Sequence, residues 1–143
     1  MTLILDSGGL LAAMDEGQDN HQDFVDVIRR ARGPVIISPF VVAELDYMIL
    51  REYGREDQIA FLDQVQSGAY RLETFTGTDF IQVWRLVSEY DYLTSFGVAD
   101  ASNVVLAERY DTTDILTTDH RDFRQVTTAK GEHFRILPRD LPS

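Results

Sequence analysis

Residues 1–9, MTLILDSGG, join a short apolar run to an aspartate and two glycines. The run from Thr2 to Leu5 has no polar alternation, so it predicts a strand buried on both faces of a parallel sheet. Asp6 then falls at the carboxyl end of that strand, which is the edge of an open α/β sheet where ligands bind. An aspartate in this place is also a common turn or helix-cap residue, and this stretch alone does not separate the two roles.

The bulk composition is that of an ordinary globular chain of 143 residues, with 44% hydrophobic and 26% charged residues. This length suits one domain, residues 1–143. No basic segment precedes the first apolar run, which Asp6 interrupts, and no run approaches the roughly 18 apolar residues of a membrane span. We therefore expect a cytoplasmic protein.

The types of polar side chain restrict the metals that the chain can hold. There is no cysteine, and the three histidines show no ligand spacing, so any metal is held mainly by oxygen, which favours Mg²⁺ or Mn²⁺. The net charge of −11 argues against a stand-alone nucleic-acid binder. It argues less against a metal-dependent nuclease, because bound cations offset carboxylate charge and all basic residues except Lys130 are arginines, which suit phosphate.

Strand and helix patterns alternate along the rest of the chain. The predicted elements are helices over about residues 20–32, 39–53, 59–66, 78–87 and 98–110, and strands over residues 35–37, 70–75, 115–119 and 134–137. Ser38 and Pro39 form the start signal of the second helix, and Thr78 is the expected cap of the fourth, which carries Phe80 and Trp84 on its core face. This alternation predicts an α/β fold with a mostly parallel sheet and helices on both faces.

Two of the predicted helices carry carboxylates beside apolar residues. Glu44 neighbours Val41 and Met48 on an apolar face, and a glutamate at the edge of a buried stripe is costly unless its charge is compensated. A solvated surface role stays open for it. Asp100, with Asn103 one turn later, lies among small apolar residues in the first turn of its helix, so we expect it to face inward or into a cleft. The alternative is a plain first-turn carboxylate stabilised by the helix dipole.

The stretch ILTTDHRDF, residues 115–123, repeats the opening pattern, because an apolar run again ends on a carboxylate, Asp119. If its strand neighbours the one before Asp6, the two carboxylates stand roughly 5 to 8 Å apart at one sheet edge. Like charges that close are either partly protonated or built to hold a cation. An all-oxygen cluster of this kind suits Mg²⁺ or Mn²⁺, and such sites activate water for phosphodiester cleavage.

The order and placement of Asp6, Glu44, Asp100 within GVADASNVVLAERY and Asp119 within LTTDHRDF resemble the acidic set of the PIN-domain ribonucleases. The closer resemblance is to the VapC toxins of bacterial toxin–antitoxin modules, and it covers essentially the whole chain, including PFVVAELDY. It implies a three-layer α/β/α sandwich, Mg²⁺- or Mn²⁺-dependent endoribonuclease activity and homodimerisation. It also implies inhibition by a small antitoxin whose tail occupies the active-site groove.

The resemblance implies that the four acids bind the metal and form the catalytic set. Thr117 falls where the family often has a hydroxyl two residues before the last acid. Where the family usually shows D-T-S, this chain has Asp6-Ser7-Gly8, so Ser7 keeps one hydroxyl and Gly8 removes the next. That departure affects a hydrogen bond behind the metal ligands rather than the metal site itself. Asn103 is a further candidate for such a supporting role.

The resulting hypothesis is that one or two ions on these acids orient and deprotonate a water for in-line attack on structured RNA, either tRNA or rRNA. The products are a 5′-phosphate and a 3′-hydroxyl. Arg121 and Arg124 are candidate RNA contacts, although a solvated surface role is open for each. Asp122 either joins the site or starts a helix.

Two other α/β classes fit the sequence poorly. An aspartyl-phosphate phosphatase needs a second aspartate two residues after the first, where Gly8 stands. A receiver-type signalling module needs a phosphoacceptor aspartate after the third strand and a late lysine in the sheet, whereas this chain has residues 73–75 as Glu-Thr-Phe and Lys130 in a polar loop. A non-catalytic module that binds a metal or a partner through the same acids stays open.

Overall fold

A parallel sheet forms the centre of the computed structural model, which describes residues 1–142. The strands are β1 (Leu3–Leu5), β2 (Val35–Ile37), β3 (Arg71–Leu72), β4 (Asp114–Leu116) and β5 (Arg135–Leu137). The helices are α1 (Ser7–Met14), α2 (His21–Arg30), α3 (Pro39–Glu52), α4 (Arg55–Gln66), α5 (Gly77–Glu89), α6 (Val98–Arg109) and α7 (His120–Phe123). Within these residues the strand order is β3-β2-β1-β4-β5, and every neighbouring pair is parallel.

Alternate strand residues enter two apolar cores on opposite faces of the sheet. Ile4 and Ile115 pack with residues of α5, α6 and α7, whereas Leu5 and Leu116 pack with residues of α1, α2, α3 and α4. Both faces are therefore covered by helices, which explains why the strands are almost wholly apolar. The predicted α/β/α sandwich with a parallel sheet is confirmed.

The register brings three strand ends to the same edge of the sheet. Leu5 pairs with Ile37 of β2 and with Leu116 of β4, so Asp6 and Thr117 both follow paired residues. The backbone N–H of Asp6 donates to the carbonyl of Leu116 at 3.0 Å, which fixes the end of β1 against β4.

Local sequence features explain how α3 begins after β2 and how α1 packs against β4. The hydroxyl of Ser38 accepts a hydrogen bond from the N–H of Phe40 at 3.1 Å, and Pro39 opens α3, as the sequence predicts. Helix α1 approaches β4 so closely that a Cβ at Gly9 would overlap the backbone of Leu116. Glycine is therefore required at position 9 by a close backbone approach.

Several sequence predictions are wrong in detail. The sequence pattern does not predict helix α1, and the strand that it predicts to reach Asp119 ends at Leu116. Thr76 rather than Thr78 caps α5, because its hydroxyl and the Asp79 carboxylate form a reciprocal capping box.

The faces that α4 and α5 bury also differ from the expected ones. Trp84 is 64% exposed and Phe80 47%, because α5 directs Val83 into the core instead. On α4, Ile59 is exposed and the polar Gln58 is buried, where its amide donates to Asp46 at 2.6 Å. No helix of residues 1–142 has the length and apolar character needed to cross a membrane.

Candidate active site

The four predicted acids lie near one another at the carboxyl edge of the sheet, and we call the space between them the acidic cleft. Asp6 directly follows β1, Glu44 lies on α3, Asp100 lies in the first turn of α6 and Asp119 precedes α7. Burial is the main cause that raises the pKa of Asp6 to about 6, and the negative charges of Glu44 and Asp119 act in the same direction. Their mutual electrostatic effect shows that acids from four separate elements lie near one another.

Two neutral donors hold the carboxylate of Asp6. The amide nitrogen of Asn103 donates to its Oδ1 at 3.1 Å, and the hydroxyl of Thr117 donates to its Oδ2 at 2.6 Å. The same Thr117 oxygen accepts a hydrogen bond from the N–H of Asp119 at 2.9 Å. Thr117 thus connects two of the acids, and both Thr117 and Asn103 are buried.

Glu44 is exposed to solvent rather than partly buried, but a hydrogen bond holds its carboxylate at the cleft. The hydroxyl of Ser7, the first residue of α1, donates to its Oε1. The structure also explains why position 8 carries no hydroxyl side chain. A Cβ at this position would overlap Oγ1 of Thr118. Gly8 therefore gives room to a hydroxyl from the β4–α7 loop.

Asp100 combines both roles that the sequence left open. Its Oδ2 accepts a hydrogen bond from the N–H of Gly97 at 3.0 Å, which closes the start of α6. Burial, followed by the charge of Asp6, raises the pKa of Asp100 to about 7. The residue is thus a helix cap that also belongs to the acidic cleft.

Asp119 and Asp122 are joined by the start of α7. The Oδ1 of Asp119 accepts a hydrogen bond from the N–H of Asp122 at 3.1 Å. The Asp122 side chain is buried, and its Oδ2 has no hydrogen-bond partner among residues 1–142. Burial raises the pKa of Asp122, and the charge of Asp119 adds to the effect. Asp119 therefore caps α7, and Asp122 lies buried in the first turn of that helix beside Asp119.

The two candidate arginines differ in their surroundings. Arg124 forms a bidentate ion pair with Asp140, in which the distance from Nη1 to Oδ2 is 2.8 Å. Arg121 is exposed and lines a cleft that also contains Asp119. Arg124 is therefore engaged by Asp140, whereas Arg121 lies beside Asp119.

The chemistry of this site fits a divalent cation. Its donor atoms are carboxylate oxygens, which Mg²⁺ and Mn²⁺ prefer. Within residues 1–142 no three acidic or histidine side chains stand ready at metal-binding spacing, and protein donors hold the individual carboxylates instead. Burial raises the pKa values of Asp6 and Asp100, and the charges of the neighbouring acids add to the effect; a divalent cation would favour the charged form of both.

Comparisons with known proteins identify the family of this chain. The PIN domain family model matches residues 3–128. The chain is also 35% identical over 136 residues to Ribonuclease VapC26 of Mycobacterium tuberculosis, covering 95% of this chain and 100% of that protein. The chain belongs to the VapC toxins, ribonucleases of the PIN-domain family. The resemblance seen in the sequence is therefore confirmed.

Solved structures of VapC proteins share this PIN fold. Mycobacterium tuberculosis VapC20, described as a sarcin-ricin loop cleaving toxin, superposes with a TM-score of 0.75 at 18% identity, over 83% of this chain and 91% of that one. VapBC2 from Rickettsia felis, bound to a DNA fragment from its promoter, gives a TM-score of 0.69 at 18% identity, over 95% of this chain and 98% of that one.

Sequence reasoning missed one contributor to the VapC site and left another undecided. Thr118 was not singled out, although its place beside Gly8 follows from the alignment of α1 against the β4–α7 loop. The sequence allows two roles for Asp122, and the burial of its unpartnered Oδ2 is visible only in three dimensions. A signal for Thr118 is present in the sequence. Gly8 lacks the hydroxyl that the family usually has after Asp6, and Thr118 supplies an additional hydroxyl directly before Asp119.

Proposed function

We propose that this VapC protein is an Mg²⁺- or Mn²⁺-dependent endoribonuclease that hydrolyses structured RNA and leaves 5′-phosphate and 3′-hydroxyl ends. The observation that carries the proposal is the convergence of four carboxylates at one sheet edge. The pKa values of Asp6 and Asp100 are raised to about 6 and about 7 there. Such a cluster is costly for the fold and is explained by a cation that binds it.

The proposed metal ligands are Asp6, Glu44, Asp100 and Asp119. When bound, the divalent ion supplies a Lewis acid for the scissile phosphate and a lowered pKa for the attacking water. No side-chain nucleophile is needed, because water is the attacking group.

The surrounding residues hold the ligands in place. Thr117 and Asn103 orient the Asp6 carboxylate, and Ser7 orients that of Glu44 through its hydroxyl. Arg121, at the edge of the cleft, contacts RNA phosphate in this proposal, and Arg124 contributes to the same face while paired with Asp140.

The proposed partners follow from the toxin family. VapBC2 is a toxin–antitoxin complex, which supports a cognate antitoxin for this chain, and we also propose a homodimer. The cytoplasm is the proposed place of action. The description of VapC20 as a sarcin-ricin loop cleaving toxin makes ribosomal RNA the first substrate to test, with tRNA second.

The test is cleavage of total bacterial RNA by the purified protein, free of antitoxin, in Mg²⁺, Mn²⁺ or EDTA, with sequencing of 5′-phosphate ends. We expect discrete cuts that disappear in EDTA and in Asp6→Asn. The matched control Asp63→Asn changes an exposed carboxylate on α4 and keeps the cuts. Metal binding without cleavage by the folded protein would instead support the non-catalytic alternative.

A further inference from the structure

A second feature of this edge is a cleft beside the acids that the metal chemistry leaves unexplained. Its volume is about 620 Å³. Residues 92–95, from the loop between α5 and α6, form one wall, and residues 118–122 with Gln125 form the other. The first wall leads within a few residues to Asp100, and the second contains Asp119. A group bound here lies next to the proposed reaction centre.

The loop that forms the first wall is fixed by its buried residues. Leu93 and Phe96 are buried, and they close successive turns through Leu93 N–H to the Tyr90 carbonyl at 2.9 Å and Phe96 N–H to the Leu93 carbonyl at 3.0 Å. The residues between these anchors, Thr94 and Ser95, are exposed toward the cleft. The wall is therefore a preformed surface rather than a loose loop.

Tyr92 extends from this wall as an aromatic surface with support from behind. It is 61% exposed, and its ring centre lies 6.1 Å from that of the buried Tyr90. Tyr90 in turn packs on Phe96 at 5.5 Å, and its hydroxyl accepts a hydrogen bond from the N–H of Thr127 at 3.3 Å. A rigidly supported and exposed ring is suited to stacking on a nucleobase.

The opposite wall offers neutral hydrogen-bonding groups that suit the edge of a base. Asp119 on this wall is a proposed metal ligand and Asp122 is buried, whereas Thr118 is exposed and its hydroxyl can both donate and accept. Gln125 is exposed and supplies an amide that both donates and accepts. Arg121 on the same wall is available for the neighbouring phosphate.

We propose that this cleft binds an unpaired nucleobase adjacent to the scissile phosphate, with Tyr92 stacking on the base and Gln125 contacting its edge. The inference rests on the ribonuclease function proposed above and adds to it a subsite for one base of the substrate. A base inside an A-form helix cannot enter the cleft, because stacking and pairing occupy it.

The experiment combines protein variants with abasic RNA. The substrate is a short RNA hairpin containing the mapped cut site, made intact or with one abasic nucleotide on either side of the cut. For the parent we expect one of the two abasic substitutions to lower kcat/KM about tenfold or more, mainly through KM. For Tyr92→Ala we expect the intact hairpin to be cut as slowly as that abasic one, with no further loss from the abasic change.

Three matched variants control for structural damage. Tyr92→Phe keeps the ring and should restore most of the kcat/KM that Tyr92→Ala loses, and Gln125→Ala weakens discrimination between bases at the affected position. Gln66→Ala, at the end of α4, changes an exposed glutamine on a distant element and has no effect. Additive losses from Tyr92→Ala and the abasic nucleotide would overturn the subsite while leaving the ribonuclease intact.

A binding measurement separates this inference from the proposed function. The hairpin carries 2-aminopurine in the position of the sensitive base, and its fluorescence is quenched when it stacks on tyrosine. Quenching by the parent but not by Tyr92→Ala supports the subsite even if the protein cuts no RNA, an outcome that would refute only the ribonuclease. Equal quenching by both proteins overturns the subsite.

Discussion

Replacing Asp100 by asparagine should stabilise the metal-free protein at high pH while abolishing cleavage. Burial and the neighbouring Asp6 raise the pKa of Asp100 from its ordinary value of 3.8 to about 7. An amide oxygen at position 100 still accepts the hydrogen bond that the N–H of Gly97 donates at 3.0 Å. The substitution thus removes a charge but keeps the start of α6.

The sign and size of the effect follow from proton linkage. Between pH 3.8 and about 7 the folded state keeps a proton on Asp100 that the unfolded state releases, so stability falls as pH rises through this window. The full difference in pKa corresponds to about 4 kcal/mol. Since Asp100 is only partly buried and solvent screens its charge, we expect about half of this, about 2 kcal/mol, at pH 8. The gain should fall to about 0.5 kcal/mol at pH 4.5.

The assay is urea and thermal unfolding in EDTA at both pH values. At pH 8 the melting temperature of Asp100→Asn should exceed that of the parent by about 4 to 8 °C. Asp63→Asn, which alters an exposed carboxylate, should shift neither curve. Added Mg²⁺ should stabilise the parent more than Asp100→Asn, because the variant lacks one ligand. An Asp100→Asn protein no more stable than the parent at pH 8 in EDTA would refute the assignment of Asp100 to a strained acidic cluster.

Three further substitutions test the packing and hydrogen bonds behind the acids. Thr117→Val removes the 2.6 Å hydrogen bond to Asp6 and should lower cleavage about 10- to 100-fold, with Thr117→Ser as the rescuing variant measured in the same RNA assay. Gly8→Ala should cost about 1 to 3 kcal/mol in urea unfolding, and Thr118→Ala in the same chain should recover most of that loss, since the clash is with the Thr118 hydroxyl. Gly9→Ala should cost about 3 kcal/mol or more by the same measurement and resist rescue, because its Cβ meets backbone rather than a side chain.

The position of Asp6 was predictable because a contiguous apolar strand, with no alternation, ends directly on it. The end of β4 was not, since Thr117 and Thr118 are β-branched and extend the strand pattern beyond Leu116. Their backbone instead turns to place the Thr117 hydroxyl between Asp6 and Asp119. A strand propensity was thus overridden by the hydrogen bonds of the site.

Two helices show where periodicity fails. In α5, both the face with Val83 and the face with Trp84 are apolar, so spacing alone does not decide which one is buried, and the structure buries Val83. Helix α1, with the sequence SGGLLAAM, has no polar face and carries two glycines in its first turn, so its pattern resembles no amphipathic helix. It forms because the close approach at Gly9 allows it to pack against β4.

The way the chain distributes its hydrogen bonds explains how an acidic cluster stays available to a cation. Neutral groups donate to the acids: the side chains of Ser7, Asn103 and Thr117 and the backbone N–H groups of Gly97 and Asp122. The ion pairs of residues 1–142 lie on other carboxylates, for example Arg109 with Glu73 at 2.9 Å. A buried arginine beside Asp6 would lower its pKa and occupy its oxygens, whereas a hydroxyl or amide orients them without neutralising them. Burial, together with the neighbouring carboxylates, therefore raises the pKa values of Asp6 and Asp100, while the neutral donors orient the carboxylate oxygens without neutralising their charge.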